Sequence, residues 1–251
     1  MTTPSLRAQI LTRRTYNRPL SDDGKVFETW EQTVNRVIEH QAWLWSRAVG
    51  KKNLPAEAKG ELLELRELML SRKVLTSGRT LWLGGTDVAK KREASQFNCS
   101  FTHVETVYDC VDVLWLLLQG CGVGFRPIVG TLNGFAKPIK SIEVIHSTRT
   151  EKGGVVDNEE FWDGSTWRIK VGDSAEAWAK SIGKLLAGKY PADKLVLDFS
   201  EIRPAGERLK GYGWISSGDA AIAKAYVAIA NILNRRAGSL LTRMRSEERR
   251  V

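Results

Sequence analysis

Cysteine is scarce in this chain. Its 251 residues hold three, Cys99, Cys110 and Cys121. An odd number at wide spacing excludes a disulfide scaffold and fits a reducing compartment, so a cytoplasmic protein is expected. Histidine is equally sparse. His40, His103 and His146 stand apart with no Ser-His-Asp or metal-like grouping beside them. They are read as structural or surface residues, and no metal site is expected. No apolar run of about eighteen residues occurs, so no membrane span is expected. The first residues, Met1-Thr2-Thr3-Pro4-Ser5, contain no apolar signal core. Zinc-type spacings, internal repeats and low-complexity segments are absent as well.

What is present is an ordinary globular composition, 42% hydrophobic and 27% charged, in a chain long enough to bury a core. The net charge is +9 and the sequence pI is about 9.5. Such a balance favours phosphate-bearing partners, although a solvated basic surface accounts for it equally well. Part of the excess lies in Arg243, Arg245, Arg249 and Arg250 at the end. Basic residues are not interleaved with aromatics, which weakens the reading as a dedicated nucleic-acid module.

Along the chain, residues 1–24 read as an extended arm. Phe27, Trp30, Val34, Val37, Ile38 and Trp45 recur at helical spacing over 27–49. Asn53 is the expected cap of a second helix, with Pro55 in its first turn and Leu62, Leu63, Leu65 and Leu68 on its buried side. A third helix is expected from about Asp109, as N-cap, through Leu118. Gly120, Gly122 and Gly124 then form a turn. Ile142–Ile145 and Trp167–Val171 read as strands separated by a polar loop, Thr148 to Ser165. Asp173 to Glu176 reads as a capping box opening a helix that ends at Gly188. Leu195–Phe199 is strand-like, and a final helix runs from about Asp219 to Arg236 with Gly238 as its stop. Strands alternating with helices behind a helical N-terminal part argue for an α/β protein.

Few residues announce chemistry locally. Cys99 lies in Gln96-Phe97-Asn98-Cys99-Ser100-Phe101. A lone cysteine there reads either as a small buried side chain or as a thiol beside a bound anion. Cys110, within an apolar helix, reads as core, and Cys121 as either. Gln119-Gly120-Cys121-Gly122-Val123-Gly124-Phe125 follows a helix and not a strand, so it fails as a dinucleotide fingerprint. It admits a ligand to the backbone or lets two elements pack closely. Ser77-Gly78-Arg79-Thr80 suits phosphate contacts through hydroxyls and N–H groups, or a plain turn. Asp198 and Glu201 read as caps.

The linear order adds more. Ser77-Gly78-Arg79-Thr80-Leu81-Trp82-Leu83-Gly84-Gly85-Thr86-Asp87, then Asn98-Cys99-Ser100-Phe101, then Gly120-Cys121-Gly122-Val123-Gly124-Phe125, then Lys194 to Gly206, the loop Gly211 to Gly218 and Ile232 to Gly238 resemble the N-terminal half of the adenosylcobalamin-dependent (class II) ribonucleotide reductases. The resemblance covers roughly 12–242 and favours the monomeric triphosphate-reducing branch. It implies an α/β fold: an N-terminal arm and helical region (1–75), a partial, incomplete ten-stranded α/β barrel with an effector-region insertion (76–242), and a basic divergent tail (243–251).

The resemblance also implies roles. Cys99 matches the first of two redox cysteines that reduce the ribose 2′ carbon. Asn98, Cys99, Gly122 and Thr80 match substrate-binding positions. Val107 to Leu118 looks like the first part of the effector region, with Asp109 as the nucleotide contact and Val107 and Leu118 at its limits. The implied cofactor is adenosylcobalamin, with its binding region outside this chain. The implied partners are a ribonucleotide substrate, a dNTP effector, a thioredoxin-type reductant and the missing C-terminal half.

The departures matter equally. The second redox cysteine, the radical cysteine with its glutamate, and the C-terminal cysteine pair lie beyond Val251 in the family. Cys121 replaces a usual glycine, and Trp214 and Asp219 replace Gly and Pro. The expectation is therefore a piece of a reductase, inactive alone. An inactive truncated remnant that keeps at most nucleotide binding, a small basic nucleic-acid-binding protein, and a reductase with a different radical generator stay open beside it.

Overall fold

A computed structural model describes residues 4–21, 23–50, 53–128, 130–150, 154–209 and 211–241. The chain forms two compact units: Met1–Asn98 with Leu209–Trp214, and Cys99–Arg208 with Ile215–Val251. The basic tail expected over 243–251 lies outside the described residues.

The first unit is helical. It contains α1 (Leu6–Thr15), α2 (Trp30–Val49), α3 (Ala56–Leu70), α4 (Gly78–Leu83), α5 (Asp87–Lys91) and a 3₁₀ turn, Glu93–Gln96. The expected extended arm is thus corrected to a helix. Ser5 caps α1 by accepting from the Ala8 N–H, and the Thr12 hydroxyl is held by Arg72 from the end of α3 at 2.9 Å. Tertiary contact overrides a weak local pattern here. Helix α2 starts at a Thr29–Gln32 capping box and stops at Gly50 in the left-handed region. Helix α3 is capped by Pro55 and not by Asn53. Its core side places Met69 against Val34 and Val37 of α2 and Leu81 of α4.

A buried ionic knot fixes this unit. The Arg36 guanidinium donates to both carboxylate oxygens of Glu28, at 2.7 and 2.9 Å, to the Leu81 carbonyl at 2.9 Å and to the Gly84 carbonyl. Burial opposes ionisation of Glu28, but Arg36, the Arg18 N–H and Thr33 hold its carboxyl below the usual range. The knot pins the C-terminal end of α4 and Gly85, whose φ of +81° suits glycine and whose Cβ would meet Arg36.

The second unit is α/β. It holds β1 (Cys99–Val104), α6 (Val107–Leu118), β2 (Gly122–Pro127), β3 (Ser141–Ile145), β4 (Glu159–Trp162), β5 (Thr166–Lys170), α7 (Ala175–Ala187), β6 (Lys194–Asp198) and α8 (Ala220–Arg235). β1, α6 and β2 form a βαβ unit with parallel strands. The other strands make a mixed sheet in the order β3-β6-β5-β4, antiparallel only between β4 and β5.

Several expectations are corrected in this unit. Helix α6 is capped by Thr106, and Asp109 is its N3 partner in a capping box. The expected glycine turn is mostly strand, since Gly122 opens β2. The polar loop contains β4, whose alternation is too short to stand out in sequence. Ser174 caps α7 through the Ala177 N–H, because the carboxylate in that stretch, Glu176, falls one position short of N3. The final helix and the Gly188 stop lie close to where periodicity puts them, but α8 is capped by Arg236, two residues before the expected stop at Gly238.

The core of the second unit joins the sheet to α7 and α8. Trp167, Ile169, Leu195 and Leu197 project from β5 and β6 onto Ile182, Leu185, Tyr226 and Leu233. The Tyr226 hydroxyl is buried, shares a hydrogen bond with the Ser181 hydroxyl at 2.7 Å and donates to the Trp178 carbonyl at 2.8 Å. Helices α6 and α7 pack so closely that a Cβ at Gly183 would lie 2.5 Å from a Val111 methyl.

Candidate functional site

Cys99 is the first residue of β1 and is exposed. Its register partner on β2 is Gly122, so two of the residues singled out in sequence stand side by side. Side chains alternate across a strand. Cys99, Phe101 and His103 therefore share one face with Gly122, Gly124 and Arg126, all exposed, while Val104 and Pro127 are buried on the other side. Helix α6 packs against this strand pair. Glycine at position 124 has a specific cause: a Cβ there would sit 3.1 Å from the Phe101 ring. That ring, 65% exposed, meets His103 edge-on at 5.5 Å.

The other thiols are in different settings. Cys121 is buried just before β2, with its Sγ 3.7 Å from the Gly122 carbonyl oxygen. Cys110 is half-buried on α6, and burial followed by the Asp109 charge pushes its thiol up to about 11. At neutral pH Cys110 is therefore protonated and a poor nucleophile.

The remaining candidates lie outside these two strands. Asn98 is exposed and directly precedes Cys99, in the first unit. Thr80 is half-buried on α4, and its hydroxyl and N–H both engage the Ser77 cap, at 3.1 and 3.3 Å. Asp109 Oδ2 accepts from the Glu105 N–H, the Thr106 N–H and the Thr106 hydroxyl at 2.8–3.0 Å. The Thr106 hydroxyl, then the Glu105 and Thr106 N–H groups, hold its carboxyl below the usual range. Val107 and Asp109 open α6 and Leu118 closes it, about 16 Å from Val107 at helical rise, so the three do not form one cluster.

His40 is buried and stacks on Trp43 at 5.6 Å. Burial, then Lys90 and Arg36, lowers its pKa. His146 pairs with Asp219 at 2.7 Å. Asp198 is fully buried in an ion pair with Arg168, and Glu201 is held by Lys170 and Arg149, so both carboxylates are structural. Phe101, His103 and Arg126 escape a reading by motif. The signal for them is period-2 alternation, visible only once β1 is recognised as a strand.

The comparisons with known proteins converge. A family model for the ribonucleotide reductase alpha domain matches residues 5–86. A second, for the insertion domain of B12-dependent ribonucleotide reductase, matches 141–233. Together with the α/β fold and its cysteine-bearing strand, they place the chain in the ribonucleotide reductase class. More narrowly, the insertion-domain match over 141–233 and a solved structure at 26% identity are those of B12-dependent ribonucleotide reductases. It is 29% identical to the adenosylcobalamin-dependent ribonucleoside-triphosphate reductase of Lactobacillus gasseri, over 93% of this chain and 37% of that protein. It is 26% identical to the same enzyme of Lactobacillus leichmannii, over 93% and 36%. A crystal structure of a B12-dependent (class II) ribonucleotide reductase superposes with a TM-score of 0.72 at 26% identity, over 94% of this chain and 38% of that one. The chain thus spans little more than a third of the relatives it matches.

Of the six described strands, β3 to β6 lie within the stretch matching the insertion domain, and β1 and β2 lie outside it.

Proposed function

We propose that this chain is the N-terminal portion of an adenosylcobalamin-dependent ribonucleotide reductase that converts a ribonucleotide to its deoxyribonucleotide together with the rest of the enzyme. Cys99 is one of two thiols that deliver the reducing equivalents. The two thiols give up two electrons and two protons, the 2′ hydroxyl leaves as water, a hydrogen replaces it at C2′, and a disulfide joins the sulfurs. The observation that carries this reading is the placement of Cys99: exposed, at the head of a parallel strand, beside a glycine that leaves its backbone open.

Asn98, Gly122 and Thr80 are the accompanying substrate contacts. Val107, Asp109 and Leu118 belong to a dNTP effector region. A thioredoxin-type protein renews the dithiol, in the cytoplasm. No helix among the described residues is long and apolar enough to cross a membrane.

The second thiol is not supplied by this chain, since Cys110 lies on a helix with a raised pKa and Cys121 is buried. Adenosylcobalamin, when bound, supplies the radical that starts the reaction. The groove between the end of β3 and α8 does not fit it: this groove, about 360 Å3, is lined mostly by small apolar side chains such as Ala220, Ala223 and Val227. That volume suits a small ligand and not a corrinoid, so its binding is assigned to sequence outside this chain.

The test is to supply the remaining reductase sequence, joined to this chain or added to it as a separate protein, and to assay deoxynucleotide formation with adenosylcobalamin and a dithiol reductant. The chain alone is expected to be inactive, and the complex active and abolished by Cys99→Ser. Turnover by the chain alone, or by a Cys99→Ser complex at an undiminished rate, overturns the reading.

A further inference from the structure

The Asn234-to-Gly238 stretch is part of the family resemblance but belongs to no proposed contact. In the fold it fastens the root of the inserted sheet. Asn234, half-buried at the end of α8, accepts from the Ile139 N–H at 2.6 Å and donates to the Ile139 carbonyl at 2.9 Å. Its neighbours continue the seam. The Phe135 N–H donates to the Leu233 carbonyl, the Gly238 N–H to the Phe135 carbonyl, the Gly134 N–H to the Ser239 carbonyl and the Leu241 N–H to the Leu132 carbonyl, at 2.7–3.2 Å. The fit has no slack, because a Cβ at Gly134 would fall 1.9 Å from the Arg236 carbonyl oxygen. These residues flank the insertion match on both sides, at 132–139 and 234–241.

The other end of the seam reaches the candidate site. Val104 is the last residue of β1, and its carbonyl accepts from the Ile128 N–H at 3.0 Å and shares the Thr131 hydroxyl proton, at 3.1 Å, with the Ile128 carbonyl at 2.8 Å. The residue after Thr131 is Leu132, already in the seam. Phe135 is fully buried and packs edge-on against Trp167 at 6.4 Å, so the seam is anchored in the core of the sheet. A path of hydrogen bonds, carried through the backbone from Thr131 to Leu132, therefore runs from α8 to the far end of the strand pair that begins at Cys99. That pair has few supports of its own, being two parallel strands with one covered face.

We infer that Asn234 is a positioning residue for the β1–β2 pair: by closing the root of the insertion it sets the alignment of the strand that presents Cys99. This rests on the reading of Cys99 as the reacting thiol. Its structural content is tested without turnover, so the two succeed or fail separately.

Peptide-resolved hydrogen exchange on the full chain is the measurement, with the alkylation rate of Cys99 by iodoacetamide as a second readout. Asn234→Ala removes both bonds to Ile139. Exchange is expected to rise about tenfold in 131–140 and 233–241, as for loss of buried hydrogen bonds. It should rise also in 99–104 and 122–127, with the Cys99 alkylation rate changed in parallel. Lys224→Ala, on the outer side of α8, should move neither. Asn234→Asp keeps the acceptor for the Ile139 N–H and should give a smaller change of the same pattern. It carries the test if Asn234→Ala loses protection throughout the second unit. Faster exchange confined to 131–140 and 233–241, with β1, β2 and Cys99 unmoved, overturns the inference, as does no change anywhere.

Discussion

The second unit contains two sheets of unequal completeness. The β3-β6-β5-β4 sheet has a core face closed by α7 and α8, where Trp167, Ile169, Leu195 and Leu197 are fully buried. Its opposite face is tiled with ion pairs, Lys194–Glu143, Arg168–Asp198 and Lys170–Glu201. The β1–β2 pair has α6 on one face, and on the other an exposed row of thiol, phenyl, imidazole and guanidinium groups. Parallel strands are normally covered on both sides. The structural sheet is thus finished within the chain, while the strand carrying the candidate thiol is finished on one side only.

Three substitutions sharpen or break this comparison. Trp167→Ala hollows the completed sheet and should cost about 3–5 kcal/mol, read as a lower urea midpoint. Asp198→Asn should cost about 2 kcal/mol at neutral pH, the scale of a hydrogen bond to a charged group. Burial raises the Asp198 pKa, but the Arg168 guanidinium and the Ser200 N–H outweigh it and hold the carboxyl below the usual range. Its contribution is complete above the unfolded value near pH ~4 and is lost as pH falls through the depressed folded value. Acid unfolding followed by circular dichroism should therefore become less pH-dependent below about pH 4 in Asp198→Asn. Phe101→Ala, on the open face, should shift stability by about 0.5 kcal/mol or less. A loss near that of Trp167→Ala would mean that the β1–β2 face is supported within this chain after all.

Much of the fold was legible from periodicity. Helices α2, α7 and α8 and strands β3, β5 and β6 carry long or strongly apolar patterns, and Gly188 marks a stop in the left-handed region. The failures share a cause. α1 exposes Leu6, Ile10 and Leu11, so its pattern has no buried side to reveal it, and Arg72 of the neighbouring element holds it. β4 is four residues long and exists by pairing with β5. Gly122 and Gly124 advertise a turn, but both lie on β2, and at Gly124 the Phe101 ring of the neighbouring strand leaves no room for a Cβ. For the site, motif order found Cys99 and Gly122, which prove to be register partners. It missed Phe101, His103 and Arg126, whose placement follows from a strand that local sequence does not announce.

The parallel pairing of β1 with β2 has a consequence in time. No hairpin can join parallel strands, and a crossover must come between them. Cys99 meets Gly122 twenty-three positions later (122 − 99), after α6 has formed. As the chain leaves the ribosome, the cysteine strand must wait for a helix before it has a partner, and such non-local pairings are among the slower events of folding. The sulfur on which the proposed chemistry turns is therefore exposed to solvent and oxidants in the nascent chain before its backbone is in place.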